Sequence, residues 1–412
     1  MTFSDPSDNW KIINKADLIT AGDTAIILFR IDGIRERLEF LQSCFNGTHS
    51  QHTIAIKTNP HPEILKAIHT FGYGLEAASF EEVMLAAKAG VPDHNIVYNS
   101  PVKTKGEIEY CALHFPDIQI NANCIQELER YPPGAFKHAG LRINPVVSSN
   151  DDSLYNVSGK YSKFGSHIEE KTLKAAILKH NVSTLHVHTG SKVDDYSRTL
   201  QGIKKVLQLA ERLNEPRERS KSAKICAVNI GGGLSAGSDI EKSAAMMKTY
   251  SSEVKNYLKQ CRCNYKIITE FGHWIHAHNG IVFSKVEYVR SVHGRQIVYL
   301  HVGADLFMRQ AYTSAEKYEF NALKNCGDKI HGPLKSTDLA GPLCFNGDYL
   351  AKGIKLPTVQ ENDLIAITLA GANTYGLWSR HCSRTLPKVV GIDMKSARPV
   401  AVLSERFNPF LE

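Results

Sequence analysis

Apolar and polar positions follow two alternating periods along the first two thirds of the chain. Short apolar runs at Thr53–Lys57, Gly74–Ala78, Asn95–Asn99, Asp117–Asn121, Gly140–Pro145, Thr184–Thr189, Ala227–Gly232 and Lys266–Gly272 read as eight strands, most of them continuous enough to be covered on both faces. Between them the period becomes helical. Ile64, Leu65, Ile68 and Phe71 share one face of a helix over His61–Phe71, and Lys204–Leu213 repeats the theme. Ser79 followed three residues on by Glu82 is the order of a capping box, and Gly90 is a stop signal. Strand and helix alternating eight times over roughly 220 residues predict a parallel (β/α)8 barrel of the α/β class.

Past residue 280 the pattern changes. Ile281–Val289, Gln296–Val302, Asp363–Ala370 and Pro399–Leu403 are β-type runs separated by Gly, Pro, Asn and Asp, with few clear helices. The expected organisation is a barrel over 30–280 and a β-rich domain over 281–412, joined by a strand from residues 1–29. A two-domain doubly wound sheet competes, and it accounts less well for the β-rich last third.

Composition narrows the function classes. The 412 residues are 42% hydrophobic and 22% charged, as in an ordinary globular chain. The net charge of +7 is scattered, and the densest basic run, Arg217 to Lys224, also holds Glu218 and two serines. Nucleic-acid binding is therefore not expected, whereas an anionic cofactor or substrate suits the balance. Nine cysteines spread through so long a chain point to reduced thiols in a cytoplasm. The first residues lack a signal-peptide pattern, and no apolar stretch approaches the ~18 residues of a membrane span.

Barrel chemistry gathers at the C-terminal ends of strands. Those ends hold Lys57, Glu76, Asn99, Arg142, His188 with Ser191, Gly231–Gly233 and Glu270. Desolvation of a strand-end lysine lowers its pKa and frees an amine to condense with an aldehyde. Three glycines after a strand let backbone N–H groups approach a phosphate, and with no Walker lysine following they do not read as a nucleotide loop. A carboxylate such as Glu270 keeps a pyridine nitrogen protonated, which makes the ring a stronger electron sink. A snorkelling lysine, a plain glycine turn or an ion pair inside the barrel would account for each feature singly. His186 with His188, the cluster His273, His276 and His278, and Cys261 with Cys263 invite a metal reading, but none has the spacing of a common zinc site, and no metal is expected.

Taken together and in order, these motifs resemble the fold-type III pyridoxal-phosphate-dependent decarboxylases, which act on ornithine, diaminopimelate and arginine. The likeness runs over about residues 25–400. It rests on Ala55-Ile56-Lys57-Thr58-Asn59, Glu76-Ala77-Ala78-Ser79 with Glu82, Asn99-Ser100-Pro101-Val102-Lys103, Ser162-Lys163-Phe164-Gly165, and Gly341-Pro342-Leu343-Cys344 with Asp348. The resemblance implies an alanine-racemase-like barrel with a C-terminal β domain. It makes Lys57 the lysine that binds pyridoxal 5'-phosphate, His188 the residue stacked on its ring, and Glu270 the partner of its pyridine nitrogen. Ser191 and Gly231, Gly232 and Gly233 fall on the phosphate loops. Cys344 falls on the proton donor that reaches the partner subunit's site in a homodimer, and Arg309 on a substrate-carboxylate contact of the diaminopimelate branch.

The chain departs from the family at three places. Glu270-Phe271-Gly272-His273 stands where Glu-Pro-Gly-Arg is usual, so His273 replaces a phosphate-binding arginine. Gly371-Ala372-Asn373-Thr374-Tyr375 stands for Gly-Ala-Tyr, leaving Tyr375 or Asn373 for the phosphate. Phe345 follows the cysteine where an acid is common. The expected activity is decarboxylation of an amino acid or amino-acid conjugate. Without an acid at Phe345, free ornithine, lysine and meso-diaminopimelate are expected to be poor substrates unless Asp348 takes over the ammonium. An anionic intermediate of siderophore or antibiotic assembly is the expected alternative to them. A diaminopimelate- or ornithine-type decarboxylase, a racemase, and a regulatory homologue without catalysis are the rival readings. Glu270 weighs against the racemase, and Lys57, Glu270 and Cys344 together weigh against the regulator.

Overall fold

A computed structural model describes residues 5–148, 155–215, 224–313 and 318–411. The basic run from Arg217 lies outside them except for Lys224, as do the first four residues. The chain forms two compact units, one of Arg37–Ile275 and one of Met1–Glu36 with His276–Glu412. Among the described residues no helix is long and apolar enough to cross a membrane.

The first unit is a closed barrel of eight parallel strands: β1 (Ser50–Ala55), β2 (Gly74–Ala77), β3 (Ile96–Tyr98), β4 (Gln119–Ala122), β5 (His138–Asn144), β6 (Thr184–His186), β7 (Ala227–Asn229) and β8 (Lys266–Thr269). β8 pairs with β1 and β4 with β5, which leaves no edge. Val97, Ala227 and Ile268 come from strands of which β3 is not a neighbour of the other two, so their cluster crosses the barrel interior.

Most strands end earlier than the apolar runs suggest. Ile56, Val187, Ile230 and Phe271 lie past the last ladder residues yet are only 1% exposed. They pack as core while the backbone has already left the sheet, so hydrophobicity alone overruns the strand. As a result Lys57 stands not on a strand but on the single 3₁₀ turn Ile56–Thr58. His188, Gly231 and Glu270 likewise sit on the βα connections.

The helices between strands start as the sequence indicates. Ser79 caps Phe80–Lys88 by accepting from the Glu82 N–H. The Glu82 carboxylate reaches back one residue further than a capping box does, to the Ala78 N–H. Thr104 and Glu107 form the complete reciprocal box at Lys105–His114.

In the second unit the strand Ala25–Arg30 lies between Gly280–Val292, antiparallel to it, and Lys388–Ile392, parallel to it. Arg295–Leu300, Lys335–Ala340 and Tyr349–Leu356 extend the sheet beyond Gly280–Val292, while Leu364–Thr368 and Glu319–Leu323 branch from it. Trp10 and Ile13, on the helix Pro6–Lys15, pack with Leu28, Phe283, Leu364 and Val390 in its core.

Candidate active site

The barrel's strand ends and βα connections bring an amine, two carboxylates and two amides together. Lys57 Nζ donates to Glu76 Oε2 at 2.8 Å. The Glu76 side chain is buried, whereas that of Lys57 is 53% exposed at the barrel mouth. Burial pulls the Lys57 pKa down, but the charges of Glu76 and then Glu270 outweigh it, and the net shift is upward. This corrects the expectation from sequence that desolvation alone frees a neutral amine: two carboxylates decide the matter.

Glu270 directly follows β8. Its Oε1 accepts from Asn99 Nδ2 and from Asn229 Nδ2, each at 2.6 Å. Burial and the neighbouring Glu76 charge push its pKa up to about 7, against the pull of Lys57 and the two amides. Asn99 Nδ2 also lies 3.3 Å from Glu76 Oε1, so one amide bridges both acids.

His188 follows β6. Burial, with Arg142 and Lys57 nearby, brings its pKa down to about 3. Its Nδ1 accepts from the Gly232 N–H at 3.2 Å, which puts the ring proton on Nε2. The result is a neutral, flat imidazole. Arg142, at the end of β5, lies over the Phe164 ring at 4.3 Å and donates to the His188 carbonyl at 3.4 Å.

The glycine loop is tight. Gly231 and Gly233 have φ of +66° and +97°. A Cβ at Gly231 would come within 2.6 Å of His188 Nδ1, and one at Gly232 or Gly233 would overlap the carbonyl oxygen of Glu270 or Gly190. Val193 N–H donates to Gly233 O and Ser235 N–H to Val193 O, so the Ser191 loop runs beside the glycine loop. Ser191 also lines a cavity of about 420 Å³ with Tyr155, Thr189, Lys192 and Arg198. His273 is on the short helix Gly272–His276 that follows Glu270.

In the other unit, Cys344 is exposed on the loop between Lys335–Ala340 and Tyr349–Leu356. Asp348, expected as a substrate contact, is 3% exposed. Its Oδ1 accepts from the Ala304 N–H and its Oδ2 from the Leu343 N–H, both at 2.6 Å. Its carboxylate thus ties down the cysteine loop, with each oxygen accepting one backbone N–H. The Phe345 ring stacks with that of Tyr312 at 5.3 Å and with that of His381 at 6.0 Å. Arg309 is on the same short helix as Tyr312, Met308–Thr313. Tyr375 opens the turn Tyr375–Leu377, its ring edge-on to Phe29, and burial raises its phenol pKa. Asn373 adopts φ +58°.

Residues 31–277 match the family described as pyridoxal-dependent decarboxylase, pyridoxal binding domain. The chain belongs to this family. Among relatives, the diaminopimelate decarboxylase of Helicobacter pylori is 25% identical over 406 residues, covering 96% of each chain. The crystal structure of a Helicobacter pylori diaminopimelate decarboxylase complexed with L-lysine superposes with a TM-score of 0.83 at 23% identity, over 95% of this chain and 96% of that one. The lysine/ornithine decarboxylase of Vibrio vulnificus complexed with putrescine gives 0.77 at 20% identity, over 93% and 98%. As a pyridoxal-dependent decarboxylase, the protein is a carboxy-lyase that uses pyridoxal 5'-phosphate. Its own residues fit that cofactor: an amine for the aldehyde, a buried carboxylate for the ring nitrogen, a neutral imidazole for the ring face, and a glycine loop that leaves no room for any Cβ.

Asn229, Gln119 and Asn121 were not legible as site residues. The available signal was an uncharged amide at inward positions of otherwise apolar strands, with Gln119 and Asn121 spaced by the strand period.

Proposed function

We propose that the protein decarboxylates an α-amino acid carrying a second carboxylate at its far end, as in a diaminopimelate-type substrate or an acidic conjugate. The observation that carries this reading is the stack at Phe345. The position after Cys344 holds no acid, and the Phe345 ring is stacked with those of Tyr312 and His381. A substrate whose far end is an ammonium alone, as in ornithine or lysine, finds no carboxylate at that position, whereas a diaminopimelate-type substrate, expected from sequence to be poor, brings a far-end carboxylate beside its ammonium that can pair with a cation. Arg309 supplies a cation from the helix that also bears Tyr312. The diaminopimelate decarboxylases among the relatives support a dicarboxylic substrate, and they give no support to siderophore or antibiotic assembly.

In this reading the cofactor supplies a protonated ring that accepts the electron pair left as CO2 departs. Lys57 provides the amine that holds the cofactor. Glu270 would keep the ring nitrogen charged, His188 would face the ring, and the Gly231–Gly233 and Ser191 loops would offer N–H and hydroxyl donors to the phosphate. Cys344 Sγ delivers the proton to the carbon that lost its carboxylate, acting across the interface of a homodimer.

The experiment is a comparison of kcat/KM for meso-diaminopimelate, N-acylated dicarboxylic amino acids, ornithine and lysine, together with Phe345→Glu. Dicarboxylic substrates are expected to lead by about 100-fold or more, the scale of a lost charge pair, and Phe345→Glu to narrow that gap. Efficient turnover of ornithine or lysine by the unaltered enzyme would overturn the substrate reading. A borohydride-stable cofactor adduct on any lysine other than Lys57 would overturn its role as anchor.

A further inference from the structure

The two amides on Glu270 belong to a longer, directional chain. Thr184 Oγ1 donates to Gln119 Oε1 at 2.9 Å, and Gln119 Nε2 donates to Asn121 Oδ1 at 2.9 Å. Asn121 Nδ2 donates to Asn99 Oδ1 at 2.7 Å, and Asn99 Nδ2 to Glu270 Oε1. From the other side the Gly231 N–H donates to Asn229 Oδ1 at 2.9 Å, which turns the Asn229 amide nitrogen toward the same carboxylate oxygen.

The direction of every amide is fixed by backbone groups that have no choice. A peptide N–H can only donate, so Asn229 Oδ1 must face Gly231. A carbonyl can only accept, so Gln119 Nε2, which also donates to the His138 carbonyl at 2.9 Å, must point that way. With Gln119 fixed, Asn121 and then Asn99 have one consistent orientation each. Gln119, Asn121, Asn99 and Asn229 are all buried, so water does not compete for these bonds. Space is kept for the relay as well: a Cβ at Gly140 would overlap Asn121 Oδ1.

We infer that Asn99, oriented by Gln119 and Asn121, is a positioning residue that commits Glu270 Oε1 to accepting two amide bonds and leaves Oε2 for the cofactor's ring nitrogen. This rests on the role of Glu270 proposed above. Both donors reach Oε1, and among the described residues no donor reaches Oε2. An oxygen that accepts twice cannot also carry a proton facing those donors, so Oε2 is the oxygen left to hold or share a proton. Asn99 also separates Glu270 from Glu76 with an NH2 group shared between like charges. The other charged or titratable groups around Glu270 are Lys57, Arg142 and His186, whose Nε2 is 3.8 Å from Oε1. Without the relay the two carboxylates still draw the Asn99 NH2, but nothing holds its carbonyl end, and its grip on Oε1 loosens.

The test reads the ring nitrogen directly. Full-length enzyme is reconstituted with pyridoxal phosphate labelled with nitrogen-15 in the ring, and the resonance of that nitrogen reports its protonation. Asn121→Leu removes the donor to Asn99 without touching cofactor or substrate; Asn121→Ser, polar and too short to reach Asn99, is the second variant in case the first fails to fold. Glu270→Gln is the reference. Both Asn121 variants are expected to shift the nitrogen signal part of the way toward that of Glu270→Gln, to lower kcat about 10-fold, at or below the lower end for a lost positioned group, and to leave KM within about 2-fold. Wild-type signal and kcat in an Asn121 variant, with both changed in Glu270→Gln, would overturn the relay and leave Glu270 in its role. An unchanged signal in Glu270→Gln would overturn the role of Glu270, and the relay with it.

Discussion

The Lys57 amine and the Glu76 carboxylate stand 2.8 Å apart, and this pair sets the charge of the lysine in the cofactor-free chain. Glu76 is the largest of the influences that raise the Lys57 pKa. Glu76→Gln removes it, so more of the amine is neutral at a given pH. The rate of covalent capture of pyridoxal phosphate, followed by absorbance against pH, is expected to reach its plateau at a lower pH than in the parent. An unmoved or raised midpoint would show that Glu76 does not govern the amine.

Glu270 is held at a cost to the fold. Its pKa rises from 4.5 to about 7 in the folded chain, so the native state binds more protons than the unfolded state between those values. Stability contributed by this group therefore falls as pH rises from about 4.5 to about 7 and stays low above that. Glu270→Gln removes the penalty. The cofactor-free variant is expected to melt higher than the parent at pH 8, with the difference disappearing near pH 4.5, while decarboxylation by the loaded enzyme drops about 100-fold. Melting curves across pH, with turnover beside them, check both halves. A variant no more stable at pH 8 would contradict the sign.

Asp348 is expected to act on Cys344 through the loop. Asp348→Ala strands the Ala304 and Leu343 N–H groups in a buried place, at about 1–3 kcal/mol each. The melting temperature should fall by several degrees, and thiol-labelling of Cys344 should change in rate because its loop is no longer tied. Asp348→Asn keeps one acceptor and should recover part of both. Equal labelling rates in all three proteins would disconnect Asp348 from the cysteine.

Subunit exchange tests the shared site. Lys57→Ala and Cys344→Ala are each expected to be inactive as pure proteins. A mixed dimer holds one site with both native residues, so mixing should restore up to about a quarter of wild-type activity, the statistical share for random pairing of equal amounts in a symmetric dimer. Absence of recovery, with exchange shown by differently tagged chains, would place the thiol in its own subunit's site.

The eight barrel strands were legible because a parallel strand covered on both faces is a continuous apolar run. Their ends were not, since Ile56 and Phe271 remain core after the ladder has stopped. In the second unit Glu319–Leu323, Lys335–Ala340, Tyr349–Leu356 and Lys388–Ile392 escaped notice. Lys335–Ala340 and Tyr349–Leu356 show why: lysines, Ser, Thr, Asp and Gly are mixed among their apolar residues, which dilutes the β signal. The helix Pro6–Lys15, mostly polar in composition, escaped for the same reason. Lys57, His188 and Glu270 could be picked out from motif order. The charge of Lys57 could not, because it depends on Glu76, a residue the sequence placed at a strand end without a partner. Nothing in a sequence reveals that Asp348 accepts from the Ala304 and Leu343 N–H groups.

Gly232 and Gly233 press against the carbonyls of Glu270 and Gly190, with no side chain in between. Three connections from different parts of the barrel therefore share backbone surfaces instead of side-chain cushions. A rotamer change can absorb a small shift; peptide planes in contact cannot. The three connections should rise and settle together, so that the cofactor's phosphate end is either fully cradled or fully released. Hydrogen exchange at the Gly232, Val193 and Glu270 amides is then expected to follow one common opening rate, slowed by the same factor when pyridoxal phosphate is bound.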